Sequence, residues 1–361
     1  MNILAIDTSA DETSAAVVCG RRVLSHVEYS QILLHAKWGG IMPSVARRAH
    51  EERIDQVIEK ALKNAQCAMN NIHAVAVTYG PGLAIALEVG IDRAQKIAKK
   101  YSIPLLKVNH MEGHLYSSFL QNSKGNPKRE FEFPYLGLLV SGGHTELVLF
   151  KNHLTYEILG ETVDDAAGEA LDKAARMLGF AYPGGPVIEQ LARQVENRDT
   201  YIFPRPMSKS KNLNFSFSGL KTALLYKTQK MSEEEKAESI ADLASSFQEA
   251  VMKSLVKKTE KAVIQTCITN LVVGGGVSVN ERLRYMLRKM VKTYEGTVFF
   301  PPYKYLNFDN AAMIGIVGSI RAERGLFEHL PLEIERVPRL SLSDASYNFL
   351  RENLIDASSK I

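Results

Sequence analysis

The sequence predicts an α/β protein built of two similar lobes, and three observations lead there. Its 361 residues exceed the roughly 250–300 at which one hydrophobic core stops growing. Short apolar runs alternate with segments whose apolar residues recur at helical spacing, the pattern of sheets covered by helices. The order of runs in the first part of the chain returns in the second, with small-residue turns in matching places.

Residues 3–8 read as an apolar strand, and the polar turn Ser9-Ala10-Asp11-Glu12 follows. Residues 15–19 form a second strand, Gly20-Arg21-Arg22 a tight turn, and residues 23–29 a third strand. Over 44–65, Val45, Ala49, Ile54, Val57, Ile58, Ala61 and Leu62 fall at helical spacing, with Ser44 as N-cap behind Pro43. A buried strand at 73–78 ends in Gly80-Pro81-Gly82; a helix over 83–100 and a short strand at 105–108 follow. The second half reads as strands at 135–140, 145–151 and 156–161, then a helix at 165–178. A strand at 270–273 ends in Gly274-Gly275-Gly276, and a helix spans 279–291. Residues 297–300 are strand-like, Pro301-Pro302 turns the chain, and a helix begins at Ala311.

This β-β-β-α-β-α-β order is that of a ribonuclease-H-like (actin/ASKHA-type) lobe. Residues 1–108 are assigned to the first lobe, with 325–361 returning to it, and residues 109–324 to the second, which carries a Lys-rich insertion at 180–231. A repeat this long predicts two related lobes facing a cleft, because a solenoid needs several short units.

Apolar residues at 45% and charged residues at 23% exclude a disordered chain. A net charge of +4 permits nucleic-acid contact without the concentrated basic stripe of a dedicated binder. Cys19, Cys67 and Cys267 lie far apart with no C-x-x-C pair, so they read as small core residues in a reducing compartment. No run approaches the roughly 18 apolar residues of a membrane span, and the N-terminus has no secretory pattern. A cytoplasmic protein is the expectation. In the insertion, Lys209, Lys211, Lys221, Lys227 and Lys230 interleave with Phe215, Phe217 and Tyr226. That composition suits phosphate contact with base stacking, and suits a solvated surface loop equally well.

Three groups of residues carry chemistry. In His110-Met111-Glu112-Gly113-His114, two histidines at i and i+4 stand on one helix face and can share a metal. Glu112 lies two residues past His110 and so points away, unlike the glutamate of the H-E-x-x-H proteases. Asp309 is the candidate third ligand, with N-capping of the helix from Ala311 as its competing role. Two imidazoles and a carboxylate leave coordination positions open and suit Fe or Zn. Ser141-Gly142-Gly143 and Gly274-Gly275-Gly276 each end a strand, where backbone N–H groups can approach phosphate. Carboxylates cluster at Asp7, Asp11 and Glu12, and again at Asp164, Asp165, Glu169 and Asp172. Asp172 is a candidate for ribose hydroxyls, while Asp164 and Asp165 also suit a helix N-terminus.

Taken together, these stretches resemble the tRNA N6-adenosine threonylcarbamoyltransferase family (TsaD in bacteria) over nearly the whole chain. The matching segments include Asp7-Thr8-Ser9-Ala10-Asp11-Glu12-Thr13, Gly39-Gly40-Ile41-Met42-Pro43, the His110–His114 run, Leu139-Val140-Ser141-Gly142-Gly143-His144-Thr145, Asp164 to Lys173, Tyr182-Pro183-Gly184-Gly185-Pro186, Phe215 to Thr222, Gly274 to Asn280 and Asp309-Asn310. The resemblance implies transfer of a threonylcarbamoyl group from threonylcarbamoyl-adenylate to N6 of the adenine 3′ to the anticodon. The tRNAs concerned read codons beginning with A, and AMP is released. It implies one divalent metal ion, Fe2+ before Zn2+, on His110, His114 and Asp309. Leu139, Val140, Ser141, Gly142, Gly143, Asp172, Gly185 and Asn280 would bind the adenylate, and Asp11 and Glu12 would have a catalytic or orienting role. The implied partners are tRNA, an inactive paralogue (TsaB-like) and a small ATPase (TsaE-like).

Two positions depart from the family pattern. Ala10 stands where cysteine is common, and Asn307-Phe308 replaces small residues before Asp309, which puts the shape of the metal pocket in question. An ATPase or sugar-kinase-like phosphotransferase of the same fold is the alternative reading; such an enzyme has no need of the histidine pair.

Overall fold

The opening strand, β1 (Asn2–Asp7), is buried along its length because every residue after Asn2 and before Asp7 is apolar. It pairs antiparallel with β2 (Glu12–Cys19), which pairs in turn with β3 (Arg22–Ser30). The chain continues through α1 (Ile32–His35), α2 (Pro43–Asn64), β4 (Ala74–Gly80), α3 (Ala84–Tyr101), β5 (Leu105–Asn109) and α4 (His110–Tyr116). The sheet order is β3-β2-β1-β4-β5, with β4 parallel to both β1 and β5. This computed structural model describes residues 1–208, 210–328 and 334–344. On α2 the predicted stripe is buried at Ala49, Ile54, Val57, Ile58 and Ala61, but the helix starts earlier than Ser44. Met42 is the N-cap and Pro43 the first helical residue, where a missing N–H leaves nothing unsatisfied.

The second half gives β6 (Tyr135–Val140), β7 (Thr145–Asn152), β8 (Thr155–Glu161), α5 (Ala167–Met177), α6 (Gly184–Gln194), α7 (Ser218–Thr228), α8 (Glu233–Thr266), β9 (Leu271–Gly274), α9 (Glu281–Lys292) and β10 (Val298–Phe299). Its sheet order, β10-β9-β6-β7-β8, reproduces that of the first sheet strand for strand. The repeat read from the sequence is therefore a repeat of pairing order. The insertion holds two helices, α6 and α7, joined by irregular chain. The long helix α8 was not foreseen, although its capping box (Ser232 with Glu235) and the buried series Leu243, Phe247, Val251 and Leu255 are written at helical spacing.

Helix α10 (Ala311–Glu323) lies on the first sheet: a Cβ on Gly315 would collide with Val18, and one on Gly318 with Ala76. The chain divides into one unit of Met1–Phe133, Lys151–Glu157 and the described residues from Pro301 onward, and a second of Pro134–Phe150 and Ile158–Phe300. Residues 109–133, 151–157 and 301–324, assigned to the second lobe from the sequence, group with the first unit by their contacts. The reason is local: α4 continues β5 directly, and the small residues of α10 fit the first sheet. Val337 N–H donates to the Tyr79 carbonyl and Gly82 N–H to the Pro338 carbonyl, so residues 337–338 also lie on the first unit. Of the expected returning segment, residues 329–333 and 345–361 lie outside the described residues.

Cys67 is buried, but Cys19 is only half-buried and Cys267 is exposed at the left-handed C-cap of α8, so the expectation of three core cysteines holds for one. Among the described residues no helix is long and apolar enough to cross a membrane. On β7, Glu146 is buried with Oε2 lacking a hydrogen-bond partner, and burial, with Glu161 nearby, pushes its carboxyl up to about 7. A folded-state pKa above the unfolded one favours the fold at low pH and loses that contribution as pH rises through about 7. Glu146→Gln is therefore expected to raise the melting temperature at pH 8 and to change it little at pH 5. Equal effects at both pH values would contradict this.

Candidate functional site

Asn109 ends β5 and caps α4, its side-chain carbonyl accepting from the N–H groups of Met111 and Glu112. The helix therefore begins at His110, and His114 follows one turn later on the same face. Their Nε2 atoms lie 3.3 Å and 3.2 Å from one oxygen, Oδ1 of Asp309. One ligand atom from each residue falls within 4.8 Å of the others. Asp309 is not spent on capping, because Asn310 accepts from Met313 N–H at the start of α10. A Cβ on Gly113 would meet Met313 and Ile314, so this glycine lets α4 lie close against α10.

The donor set fits a cation. His114 is fully buried; its Nδ1 has no hydrogen-bond partner among the described residues, and its Nε2 faces only the Asp309 carboxylate, 3.2 Å away but outside hydrogen-bond geometry. Such an orphaned imidazole is costly unless something else satisfies it. The Nδ1 of His110 lies 3.1 Å from Ser9 Oγ and 3.6 Å from Asp7 Oδ2. A proton on Nδ1 leaves the Nε2 lone pair facing Asp309, the outer-shell arrangement typical of metal-bound histidine. Burial opposes charge on His110, but Asp309 and then Asp7 outweigh it and push its pKa up to about 10. Burial holds His114 below its ordinary value. Burial works upward on Asp309 too, yet the two imidazoles keep it well below the usual carboxylate range.

Glu112 takes the opposite face of α4 and is fully buried, with Oε1 and Oε2 accepting from Arg321 Nη2 at 3.3 Å and 3.1 Å. It is a structural partner of α10 and not a base for this centre. The acidic turn lies on the first sheet: Asp11 occupies the bend and Glu12 opens β2. Burial raises Asp11, and burial followed by Asp11 and Asp309 pushes Glu12 well above its ordinary value. A network that sequence reasoning missed holds this turn. His50 lies 2.7 Å through Nδ1 from Thr13 Oγ1 and 3.1 Å through Nε2 from the Ala10 carbonyl, while Gln31 N–H donates to the Asp11 carbonyl. No local pattern links residues 10, 13, 31 and 50; pairing of β2 with β3 and packing of α2 bring them together.

The other predicted residues belong to the second unit. Leu139 and Val140 are buried on β6, so only their backbone can face a ligand. Ser141 N–H donates to the His144 carbonyl and Ser141 Oγ accepts from His144 N–H, closing a turn with Gly142 and Gly143 exposed at its tip. Gly275 has φ +92°, and a Cβ there would strike the Val140 carbonyl, so the two glycine turns approach backbone to backbone. Asp172 Oδ1 accepts from the N–H groups of Gly184 and Gly185 at 2.7 Å and 3.0 Å, tying the start of α6 to α5. Asn280 caps α9 through Leu283 N–H and donates to Gln248 Oε1 at 2.8 Å. Both polar atoms of Asn280 thus shape the turn that follows Gly274–Gly276.

In the insertion, Phe215 and Phe217 are buried core residues, which removes them as a base-stacking surface. Asp164 does not cap α5; it accepts from Phe217 N–H, Ser218 N–H and the hydroxyls of Ser216 and Ser218, fastening this segment. Asp165 pairs with Lys173 at 2.7 Å and Lys221 at 3.5 Å. Lys211, Tyr226, Lys227 and Lys230 are exposed, and Lys209 lies outside the described residues.

With this geometry in place, the comparisons decide the family. Residues 22–316 match the family described as TsaD, tRNA N6-adenosine threonylcarbamoyltransferase. The chain belongs to the tRNA N6-adenosine threonylcarbamoyltransferase family. Relatives of that name include one from Desulfitobacterium hafniense, 44% identical over 95% of this chain and 98% of its own length. Another, from Staphylococcus carnosus, is 44% identical over 92% and 96%. Among solved structures, HypF from T. kodakarensis aligns with TM-score 0.60 at 15% identity, over 90% of this chain and 48% of that one. The activator of 2-hydroxyisocaproyl-CoA dehydratase from Clostridium difficile aligns at 0.50 and 12%, over 90% and 98%. These likenesses establish the ASKHA-type fold. The activity is that of the family, an acyl transfer to N6 of adenosine in tRNA, and nothing favours the phosphotransferase alternative.

Proposed function

We propose that the donor is threonylcarbamoyl-adenylate and the acceptor is the adenine 3′ to the anticodon in tRNAs reading codons that begin with A. The observation that carries this reading is the convergence of His110, His114 and Asp309 on one point, in a chain of this family. These three residues would hold a divalent cation, Fe2+ first and Zn2+ second. When bound, the cation supplies Lewis-acid polarisation of the acyl phosphate and offsets the charge of departing AMP. The exposed turn at Gly142 and Gly143 suits the phosphate, and the turns tied by Asp172, Gly185 and Asn280 suit the nucleoside. In the transfer, the N6–C bond forms, the carbonyl carbon separates from the phosphate oxygen, and N6 loses one proton. Asp11 and Glu12, whose carboxyls are raised by burial, are suited to hold and hand on that proton. A cytoplasmic setting, with a TsaB-like paralogue and a TsaE-like ATPase, completes the reading.

The test is a transfer assay with radiolabelled threonine, bicarbonate, ATP, the adenylate-forming enzyme, the two partners and unmodified tRNA. Label entering tRNA supports the reading; no label in tRNA, together with ATP turnover by the purified chain alone, would replace it by the phosphotransferase. The exposed lysines are expected to contribute to tRNA contact. Replacing Lys211, Lys227 and Lys230 by alanine should reduce the slope of log affinity against log salt by about 2–3. An unchanged slope removes the insertion from the tRNA surface.

A further inference from the structure

The loop between β10 and α10 places Tyr303, Lys304, Tyr305 and Phe308 just before the metal-site residue Asp309. With Glu28 of β3 they line an open pocket of about 520 Å³, within the usual range for small-molecule sites. Its aromatic wall is fixed in advance. The Tyr303 hydroxyl accepts from Asn122 Nδ2 at 2.7 Å and donates to the Asn126 carbonyl at 3.1 Å. Tyr303 stacks on Tyr305 at 6.1 Å, and Tyr305 on His26 at 5.1 Å, with interplanar angles of 14° and 18°. Phe308, 38% exposed, has no such ring contact among the described residues.

The strand register ties this pocket to the reaction centre. Glu12 pairs with Ser30 and Ser14 with Glu28, so Glu12 and Glu28 project from the same face as diagonal neighbours, roughly 7–8 Å apart. The pocket therefore has an apolar ring to cover a base, a lysine for a phosphate and a carboxylate for an amine, beside the acidic turn.

We propose that this pocket receives the acceptor adenine, with its ring on Phe308, its N6 amine donating to the Glu28 carboxylate and an adjacent phosphate on Lys304. This rests on the transfer reaction proposed above. It also gives the departure at Phe308 a use, because the ring lines an acceptor pocket instead of closing the metal centre. The carboxylate sets specificity: adenine offers an N6–H donor where guanine offers its O6 acceptor, which Glu28 would repel.

The experiment measures affinity of the full-length protein for RNA stem-loops carrying adenosine, purine riboside or an abasic residue at the acceptor position, alongside KM for tRNA. Phe308→Ala is expected to weaken the adenosine hairpin about 5- to 150-fold, the range of one lost base stack, and to raise KM for tRNA. Phe308→Tyr should restore both, with metal content and adenylate affinity unchanged throughout. Glu28→Ala should abolish the preference for adenosine over purine riboside. Unchanged affinity in Phe308→Ala, or an equal loss on the abasic hairpin, overturns the proposal. Wild-type protein that transfers label while these variants match it refutes the pocket alone; wild-type protein that neither transfers label nor prefers adenosine refutes the pocket and the proposed reaction together.

Discussion

Replacing His114 by alanine is expected to remove the bound cation and to lower transfer at least about 100-fold, the scale of losing a principal electrostatic stabiliser. The fold should survive, because the one polar contact of the imidazole is with Asp309, which keeps His110 as its partner. Metal content measured by elemental analysis should fall together with activity. Metal-free wild-type protein and His114→Ala should then melt at the same temperature, while metal-loaded wild type melts higher, since a ligand bound only to the folded state stabilises it. Full activity in metal-free protein would sink the metal mechanism. A variant that unfolds even without metal would show that His114 is a packing residue.

The second large effect concerns the pair beneath the metal helix. Arg321→Met strands the Glu112 carboxylate in the interior, where removing one partner of a buried ion pair costs about 3–5 kcal/mol. The double replacement Glu112→Gln with Arg321→Met removes the stranded charge and should recover much of that loss, because two charges no longer need desolvation. The readout is the melting temperature of each variant, with transfer activity beside it. Activity should follow stability, since α4 carries both histidines and rests on α10. Single and double variants of equal stability would show that the pair contributes no coupling.

Much of the fold was legible because its signals are local. The strand ends at 140 and 161, the helices that cover the sheets and the H-x-x-x-H spacing depend only on periodicity and turn residues, and the structure matches them to within a few positions. The capping alternatives at the start of α10 were resolved by neighbours: Asn310 caps, and Asp309 is released toward the histidines. Other readings failed where packing overrode composition. Phe215 and Phe217 stand in a polar, lysine-rich stretch, yet both are core residues because Asp164 gathers the backbone and hydroxyls around them. The two units depart from the expected lobe bounds at residues 109–133, 151–157 and 301–324, because a break in sequence pattern says nothing about which sheet a segment lies on.

The sequence by itself determined the repeat of strands and helices, the likeness to one transferase family, and the residue types able to hold a cation. The tertiary structure brings Asp309, the candidate third ligand, to the two histidines across nearly two hundred residues of chain. It also decided that Glu112 belongs to Arg321 and that three aromatic side chains, Tyr303, Tyr305 and Phe308, line a pocket with Glu28. Periodicity is a property of neighbouring residues, whereas a site assembled from distant segments exists only once burial of the core fixes how its elements pack.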